Sequence, residues 1–123
     1  MTTTIPPALA SQIEGCWDLA PQYRIILRRT KHGMDACQRT RNRLGAPVKR
    51  TSAVRYNPHD NTLNFPGIGS IHRAMVVLRV SDSGVESAFS TEISAGRWMH
   101  GTWESASRCT ATTLDLPPTP STS

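Results

Sequence analysis

Hydrophobic and polar residues alternate along most of the chain in short segments, which is the period-two pattern of β-strands. The clearest case is the segment 23–30, where Tyr23, Ile25 and Leu27 share one face. Similar segments cover residues 16–20, 35–44, 51–56, 62–65, 72–80 and 85–93, and a final strand lies within 97–109. Turn-forming residues separate them. The pattern therefore predicts eight antiparallel strands in consecutive order.

Eight short antiparallel strands joined by short turns fold either as a sandwich of two sheets or as an up-and-down barrel. A barrel leaves no exposed sheet edge, and its closure pairs the first strand with the last. That pairing brings Trp17 beside the segment 103–108. We therefore predict an all-β fold, an eight-stranded antiparallel up-and-down barrel whose interior holds side chains or one small ligand.

The chain of 123 residues has the length of a single domain. The barrel domain is predicted to span residues 13–115. Residues 1–12 are rich in Thr, Pro and Ala, and we expect either a flexible N-terminal arm or a short helical plug over 7–13. Residues 116–123 have little apolar content and are predicted to form a disordered tail.

The motif Gly15-x-Trp17 on the first strand, together with Arg108 at the end of the last, resembles the calycin group, the lipocalins and their small relatives. The resemblance implies a calycin-like barrel that binds a small ligand. It also implies that Trp17 closes one end of the barrel and that Arg108 packs across its ring, a contact worth roughly 0.5–2 kcal/mol. The short strands and the Trp-rich final hairpin are also similar to avidin-like barrels and to small β-barrel cyclases of natural-product pathways.

The inward faces of the predicted strands supply a candidate ligand site. On the segment 35–44, arginines occupy one face, and the opposite face is small and polar. Small polar groups among a few aromatic rings suit a partly hydrophobic ligand that is held by two or three hydrogen bonds. The predicted lining consists of Gln38, Thr40, Asn42, Tyr56, Phe89, Thr91 and Trp103. The first predicted function is therefore the binding of a small molecule in the barrel cavity.

The final strand leaves an enzyme open as an alternative. Trp98 and Trp103 have opposite parity, so only one of them faces inward unless a bulge intervenes at Gly101. If the even-numbered residues face inward, His100 and Glu104 become an acid/base pair, as in a cyclase or isomerase. The other parity, with Trp103 inward, is favoured because an unpaired buried Glu104 is costly.

Charge points to a third class of function. The net charge is +5, and the segment 24–50 holds nine Lys or Arg residues against a single Asp. Arginine suits bidentate contacts with phosphate and carboxylate, so a basic sheet face would bind nucleic acid or an acidic protein with strong salt dependence. This predicted basic face consists of Arg24, Arg28, Arg39, Arg41 and Arg43.

Metal and redox chemistry receive little support from the sequence. The four histidines are scattered without ligand spacing, so no metal and no other cofactor is expected. Three cysteines without a Cys-x-x-Cys motif, after a chain start that lacks an export signal, predict a reduced, cytoplasmic protein. Cys16 and Cys109 nevertheless flank the predicted closure. No apolar stretch reaches the length of a membrane span, so no membrane partner is expected, and a homodimer is compatible with the sequence.

Overall fold

The computed structural model describes residues 4–69 and 73–110. Within these residues the chain forms one helix, α1 (Pro7–Ile13), and eleven strands. The strands are β1 (Gly15–Ala20), β2 (Tyr23–Thr30), β3 (Gly33–Arg41), β4 (Pro47–Ala53), β5 (Arg55–Asn57), β6 (Thr62–Pro66), β7 (Ala74–Ser81), β8 (Gly84–Ser94), β9 (Arg97–His100), β10 (Glu104–Ser105) and β11 (Ser107–Cys109).

The strands pair antiparallel and form two sheets. The first sheet has the order β11-β1-β2-β3-β4, and the second has the order β10-β8-β7-β6-β5, with β9 also paired to β8. Tight turns join β1 to β2, β2 to β3, and β7 to β8, as the alternating pattern predicts. The prediction of an all-β, antiparallel fold is therefore confirmed.

A closed eight-stranded barrel is not found in the described part of the chain. The fourth predicted strand divides at Val54 into β4 of the first sheet and β5 of the second. The last predicted strand divides in the same way at Ala106, between β10 and β11. The backbone amides of Val54 and Ala106 donate to Met34 O and Val85 O, at 2.9 and 2.8 Å. The chain thus passes twice from one sheet to the other. At each passage the ladder of backbone hydrogen bonds between neighbouring strands is interrupted.

The first and last strands pair as predicted. In the register of β1 and β11, Cys16 lies opposite Cys109 and Trp17 lies opposite Arg108. Cys16 and Cys109 form a disulfide with their Cα atoms 5.1 Å apart, within the usual range. The expected fully reduced state is therefore wrong for these two cysteines, because strand pairing places them side by side. Cys37 remains free.

The core lies between the two sheets and beneath α1. On β2, Tyr23, Ile25 and Leu27 are buried on the inner face, as the alternation predicts. They pack with buried residues of the second sheet, namely Leu63, Phe65, Val76, Leu78 and Val85. The inner faces of both sheets therefore supply one shared core.

Residues 7–13 adopt the helical alternative that the sequence left open. Leu9, Ala10 and Ile13 are the buried residues of α1, and the indole Nε1 of Trp17 donates to Ile13 O at 2.7 Å. This contact fixes the end of the helix to β1. No helix among the described residues is long and apolar enough to span a membrane. The predicted tail, 116–123, and the predicted start of the sixth strand, 72, lie outside the described residues.

Candidate functional site

The first residue of the predicted cavity lining, Gln38, is completely buried. Its Oε1 accepts a hydrogen bond from the Tyr23 hydroxyl at 2.5 Å. Its Nε2 donates to Ser52 Oγ at 3.2 Å and to Pro66 O at 2.9 Å. Because the amide already has its hydrogen-bond partners within the core, Gln38 does not line a ligand site. The sequence identifies its inward direction correctly but not its role.

Tyr23 is the partner that connects Gln38 to the segment after β6. Its hydroxyl also accepts from the Ile68 amide at 2.8 Å. Burial raises the pKa of Tyr23 to about 12, although the Ile68 hydrogen bond and the charge of Arg50 act in the opposite direction. The Tyr23 ring meets Phe89 edge-on with centroids 5.1 Å apart. Phe89, another predicted lining residue, therefore packs against the core.

Thr40 and Asn42 lie at the end of the sheets opposite to α1, which we call the open end. Tyr23 pairs with Thr40 there, whereas Arg29, near the other end of β2, bonds to Glu14 beside α1. Thr40 Oγ1 donates to Gln22 O at 2.6 Å. Asn42 Oδ1 accepts hydrogen bonds from the backbone amides of residues 44 and 46, and these bonds stabilise the turn after β3.

Tyr56 and Thr91 are not brought to Thr40 and Asn42. Tyr56 borders a cleft next to α1, and its hydroxyl donates to Asn61 Oδ1 at 2.7 Å. Thr91 lies on β8 opposite Met99 and is half-buried. The seven predicted lining residues are therefore distributed over both ends of the molecule and do not form one site.

A β-bulge in the last strand places Trp103 on the outer face. Four steps from His100 to Glu104 lie opposite three steps on β8, which leaves one extra residue between β9 and β10. Gly101 sits at this point, where a Cβ atom would lie 2.9 Å from Phe89 O. Trp103 stacks with Arg79, whose guanidinium carbon lies 4.0 Å from the ring centroid. The prediction that Trp103 faces inward is therefore wrong.

The predicted acid/base pair does not assemble. His100 lies opposite Ser90 and Glu104 lies opposite Ser87. Because these serines are three positions apart on β8, the two side chains leave opposite faces of the sheet. His100 is exposed, and its Nδ1 shares a hydrogen bond with Ser90 Oγ at 2.7 Å. A general acid and a general base must reach one substrate, so this pair does not form a catalytic site.

The predicted basic face is partly assembled. Arg24, Arg28, Arg39 and Arg41 lie on β2 and β3, and Arg43 lies in the turn 42–46. Across the first sheet, Arg24 lies opposite Arg39, which lies opposite Lys49. Arg24 also binds Asp18 through two contacts of 2.7 and 3.1 Å. Arg24, Arg39 and Lys49 thus form a basic row across the sheet, and the charge of Arg24 is already matched by Asp18.

A cleft of about 530 Å³ opens at the open end. Its lining includes Thr40, Asn42, Leu44, Val48 and Ile68. Leu44 is 93% exposed, which is unusual for a large apolar residue. Arg41 and Arg43 also border the cleft. Apolar surface thus lies next to positive charge, in a concave surface of the size that small ligands occupy.

The sequence misses Val48 and Ile68 as cleft residues. Val48 falls in a segment that the pattern leaves between two strands, and Ile68 falls in a turn rich in Pro and Gly. Leu44 is the available signal, because a large apolar residue directly before Gly45 stands at the end of a strand and next to a turn.

The described chain is thus an antiparallel two-sheet β-protein with a surface cleft at its open end. No family model, curated protein or solved structure matches it. Across residues 4–69 and 73–110, no three His, Cys, Asp or Glu side chains come together as metal ligands.

Proposed function

We propose that the protein binds a small, partly hydrophobic molecule with an anionic group in the cleft at the open end. One observation carries this proposal: Leu44, Val48 and Ile68 form an apolar surface beside Arg41 and Arg43. Burial of apolar ligand surface contributes about 25 cal/mol per Å². An arginine contributes a directed, charge-assisted contact to a carboxylate or sulfonate. The two together favour an amphipathic anion.

The site proposed here is the cleft and not the interior. The interior amide of Gln38 is hydrogen-bonded to Tyr23, Ser52 and Pro66, so a ligand there would have to displace satisfied contacts. Thr40 and Asn42 are the two residues that the predicted cavity lining and the cleft share.

The basic face supplies a second candidate function, the binding of nucleic acid or an acidic protein. Arg24, Arg39 and Lys49 lie opposite one another across three strands, so their side chains share one basic surface. The apolar character of the cleft favours the first candidate. An Arg39→Glu variant separates the two, because it reverses a charge on the outer face and leaves the cleft unchanged.

The binding experiment uses 8-anilinonaphthalene-1-sulfonate, a probe with an apolar body and one negative charge. We expect saturable fluorescence enhancement with one site per chain. Val48→Trp should fill the cleft and weaken binding at least about tenfold, which corresponds to about 1.4 kcal/mol. Thr51→Trp is the matched control, since Thr51 is exposed and bonds Cys37 on the outer face.

Two results would contradict the cleft proposal: unchanged affinity in Val48→Trp, or an equal loss in Thr51→Trp. Probe binding that survives Val48→Trp but disappears in Arg39→Glu would favour the basic face. Native mass spectrometry of protein purified from its host then identifies the ligand by its mass.

We further propose that the fold is a calycin-type barrel that is opened at two corners. Three observations support it: the strands follow one another up and down, α1 covers one end, and Arg108 packs over Trp17 at 4.1 Å. The same resemblance is the basis for expecting a ligand at the end opposite to α1.

We also propose an oxidising compartment as the working location, in place of the cytoplasm that the sequence predicts. Disulfides persist in oxidising environments and are rare in the cytosol. The Cys16–Cys109 disulfide supports this proposal.

A further inference from the structure

A groove of about 340 Å³ crosses the outer face of the second sheet. Half-buried Met75 and Val77 belong to its lining and come from β7, in the middle of the sheet. Trp98 and His100 line it from β9, and Asn57, Asp60 and Asn64 line it from the opposite side. This groove and the open-end cleft share no lining residue.

Trp98 differs from the other outer-face tryptophan. The guanidinium carbon of Arg79 lies 4.0 Å from the Trp103 ring centroid and is held there by Glu86. The corresponding carbon of Arg73 lies 6.0 Å from the Trp98 centroid, at the limit of a cation–π contact. Trp103 therefore makes a close contact with a cation of its own protein, whereas the contact between Arg73 and Trp98 is looser and Trp98 also lines the groove.

The polar groups around the groove are fixed by hydrogen bonds within the protein. The His100 ring is held through Nδ1 by Ser90 Oγ at 2.7 Å, and Nε2 is its second polar atom. One oxygen of Asp60 accepts from Thr62 Oγ1 at 2.6 Å, and the carboxylate keeps its second oxygen as an acceptor. The Oδ1 atom of Asn57 accepts a hydrogen bond from the His59 backbone amide, and its NH₂ group remains as a donor. Donors and acceptors are thus positioned before a ligand arrives.

We propose that this groove binds a neutral saccharide. A sugar ring has a C–H face that stacks on an indole, and its edge of hydroxyl groups needs paired donors and acceptors. The groove offers the indole of Trp98 for stacking. It offers hydrogen-bonding groups from Asp60, Asn57 and His100. Met75 and Val77 give the ring an apolar floor.

Other ligand classes fit the groove less well. A purely apolar molecule would bury the polar groups of Asp60 and Asn57 without partners. A nucleic-acid strand needs a basic groove, but this groove contains Asp60, and Arg73 beside Trp98 lies 3.9 Å from the Glu92 carboxylate. The chemistry of the lining therefore favours an uncharged, hydroxyl-rich ligand.

The test follows the three indole N–H signals in a proton–nitrogen correlation spectrum. Maltose, cellobiose and N,N′-diacetylchitobiose are each titrated into the full chain to about 20 mM, which detects dissociation constants in the millimolar range. We expect at least one saccharide to shift the Trp98 signal. The Trp17 signal should stay in place, because its N–H donates to Ile13 O in the core. This signal also reports that each variant is folded.

Variants then locate the site. Asp60→Asn should weaken saccharide binding at least about tenfold, measured by the shift of the Trp98 signal. Trp98→Ala should weaken it by a similar factor, measured by the backbone amide signals of the groove residues in the same spectrum, because this variant lacks the indole reporter. Trp103→Phe, which changes an aromatic ring on the same face outside the groove, should retain the affinity. The proposal fails if no saccharide shifts the Trp98 signal, or if Trp103→Phe loses binding as Trp98→Ala does. Val48→Trp, which fills the open-end cleft, should leave saccharide binding unchanged, so the two sites are judged separately.

Discussion

Tyr23 and Gln38 are polar residues in the interior, and their hydrogen bonds to each other and to the backbone take the place of bonds to a ligand. Both lie on inward faces, and the sequence predicts that direction from alternation alone. Parity does not reveal whether an inward polar group meets a ligand or another part of the chain. Here the end of β6 and the segment after it lie next to them, and the backbone groups of Pro66 and Ile68 complete the hydrogen bonds. The sequence thus predicts the face but not the partner.

The buried hydroxyl of Tyr23 makes stability depend on pH in the alkaline range. Its pKa is raised from 10.0 to about 12, so the unfolded chain loses this proton first. The contribution is fully present below pH 10 and is lost as pH rises toward about 12. We expect the free energy of unfolding to fall through this window by roughly 1.4 kcal/mol per pH unit from this group.

Urea unfolding of the wild type and of Tyr23→Phe across the same pH window measures this effect. The phenylalanine variant is expected to be less stable at neutral pH, because Gln38 and the Ile68 amide lose a partner. Its alkaline slope should be flatter than that of the wild type. Equal slopes in the two proteins would show that Tyr23 is not the group responsible.

At the scale of elements, one guanidinium attaches α1 to the last strand. Arg108 donates to the carbonyls of Glu14 and Gln12 at 2.9 and 3.0 Å and stacks over Trp17. The last carbonyls of a helix lack donors within the helix, so this contact caps its end. Gly15 has a φ of +114°, and a Cβ there would lie 2.7 Å from Arg108 Nη1. The positive φ and this close approach together explain why residue 15 is a glycine.

A double-mutant cycle tests that coupling. Gly15→Ala should destabilise the protein by about 1–3 kcal/mol, through both the positive φ and the clash. Arg108→Ala should cost about 1–2 kcal/mol, because its contacts are charge-assisted but exposed to solvent. The double variant should lose less than the sum of the two, since the clash disappears with the arginine. Additive losses in chemical denaturation would contradict the coupling.

Element boundaries are well predicted wherever turn chemistry marks them. The strand over residues 23–30 is placed correctly, since Pro21 and the turn at Lys31 and His32 stop the alternation on both sides. The start of β4 is missed. Pro47 begins this strand, and a proline there is an ambiguous signal because it is tolerated at the first position of a strand.

At the scale of the whole molecule, the sequence predicts the pairing of the chain ends but not the two passages between sheets. The pairing follows from two tryptophan-bearing terminal strands, whereas a passage at Val54 or Ala106 depends on backbone direction. The alternation of side chains hardly changes at such a point. The bulge at Gly101, which the sequence left open, is present and places Trp103 on the outer face.

The Cys16–Cys109 disulfide should supply much of the global stability. It closes a loop with a sequence separation of 93, for which chain entropy predicts about 4–5 kcal/mol. The double variant Cys16→Ser with Cys109→Ser should lose that amount in chemical denaturation. Cys37→Ser is the matched control and should remain near wild-type stability, because Cys37 forms no disulfide.

Thiol labelling of the unfolded, unreduced protein from its host tests the compartment. One reactive thiol per chain is expected if the protein works in an oxidising compartment. Three thiols would contradict both the disulfide and that location.

The Cys16–Cys109 disulfide is a second covalent connection, besides the backbone, between the segment that holds β1 to β3 and the segment that holds β4 to β11. The turn around Leu44 is exposed and contains Arg43, a cleavage site for trypsin-like proteases. A cut there leaves β1 to β3 in one fragment and β4 to β11 in the other, yet Cys16 still joins the first fragment to Cys109 of the second. A nicked molecule therefore stays in one piece until a reductant reaches it.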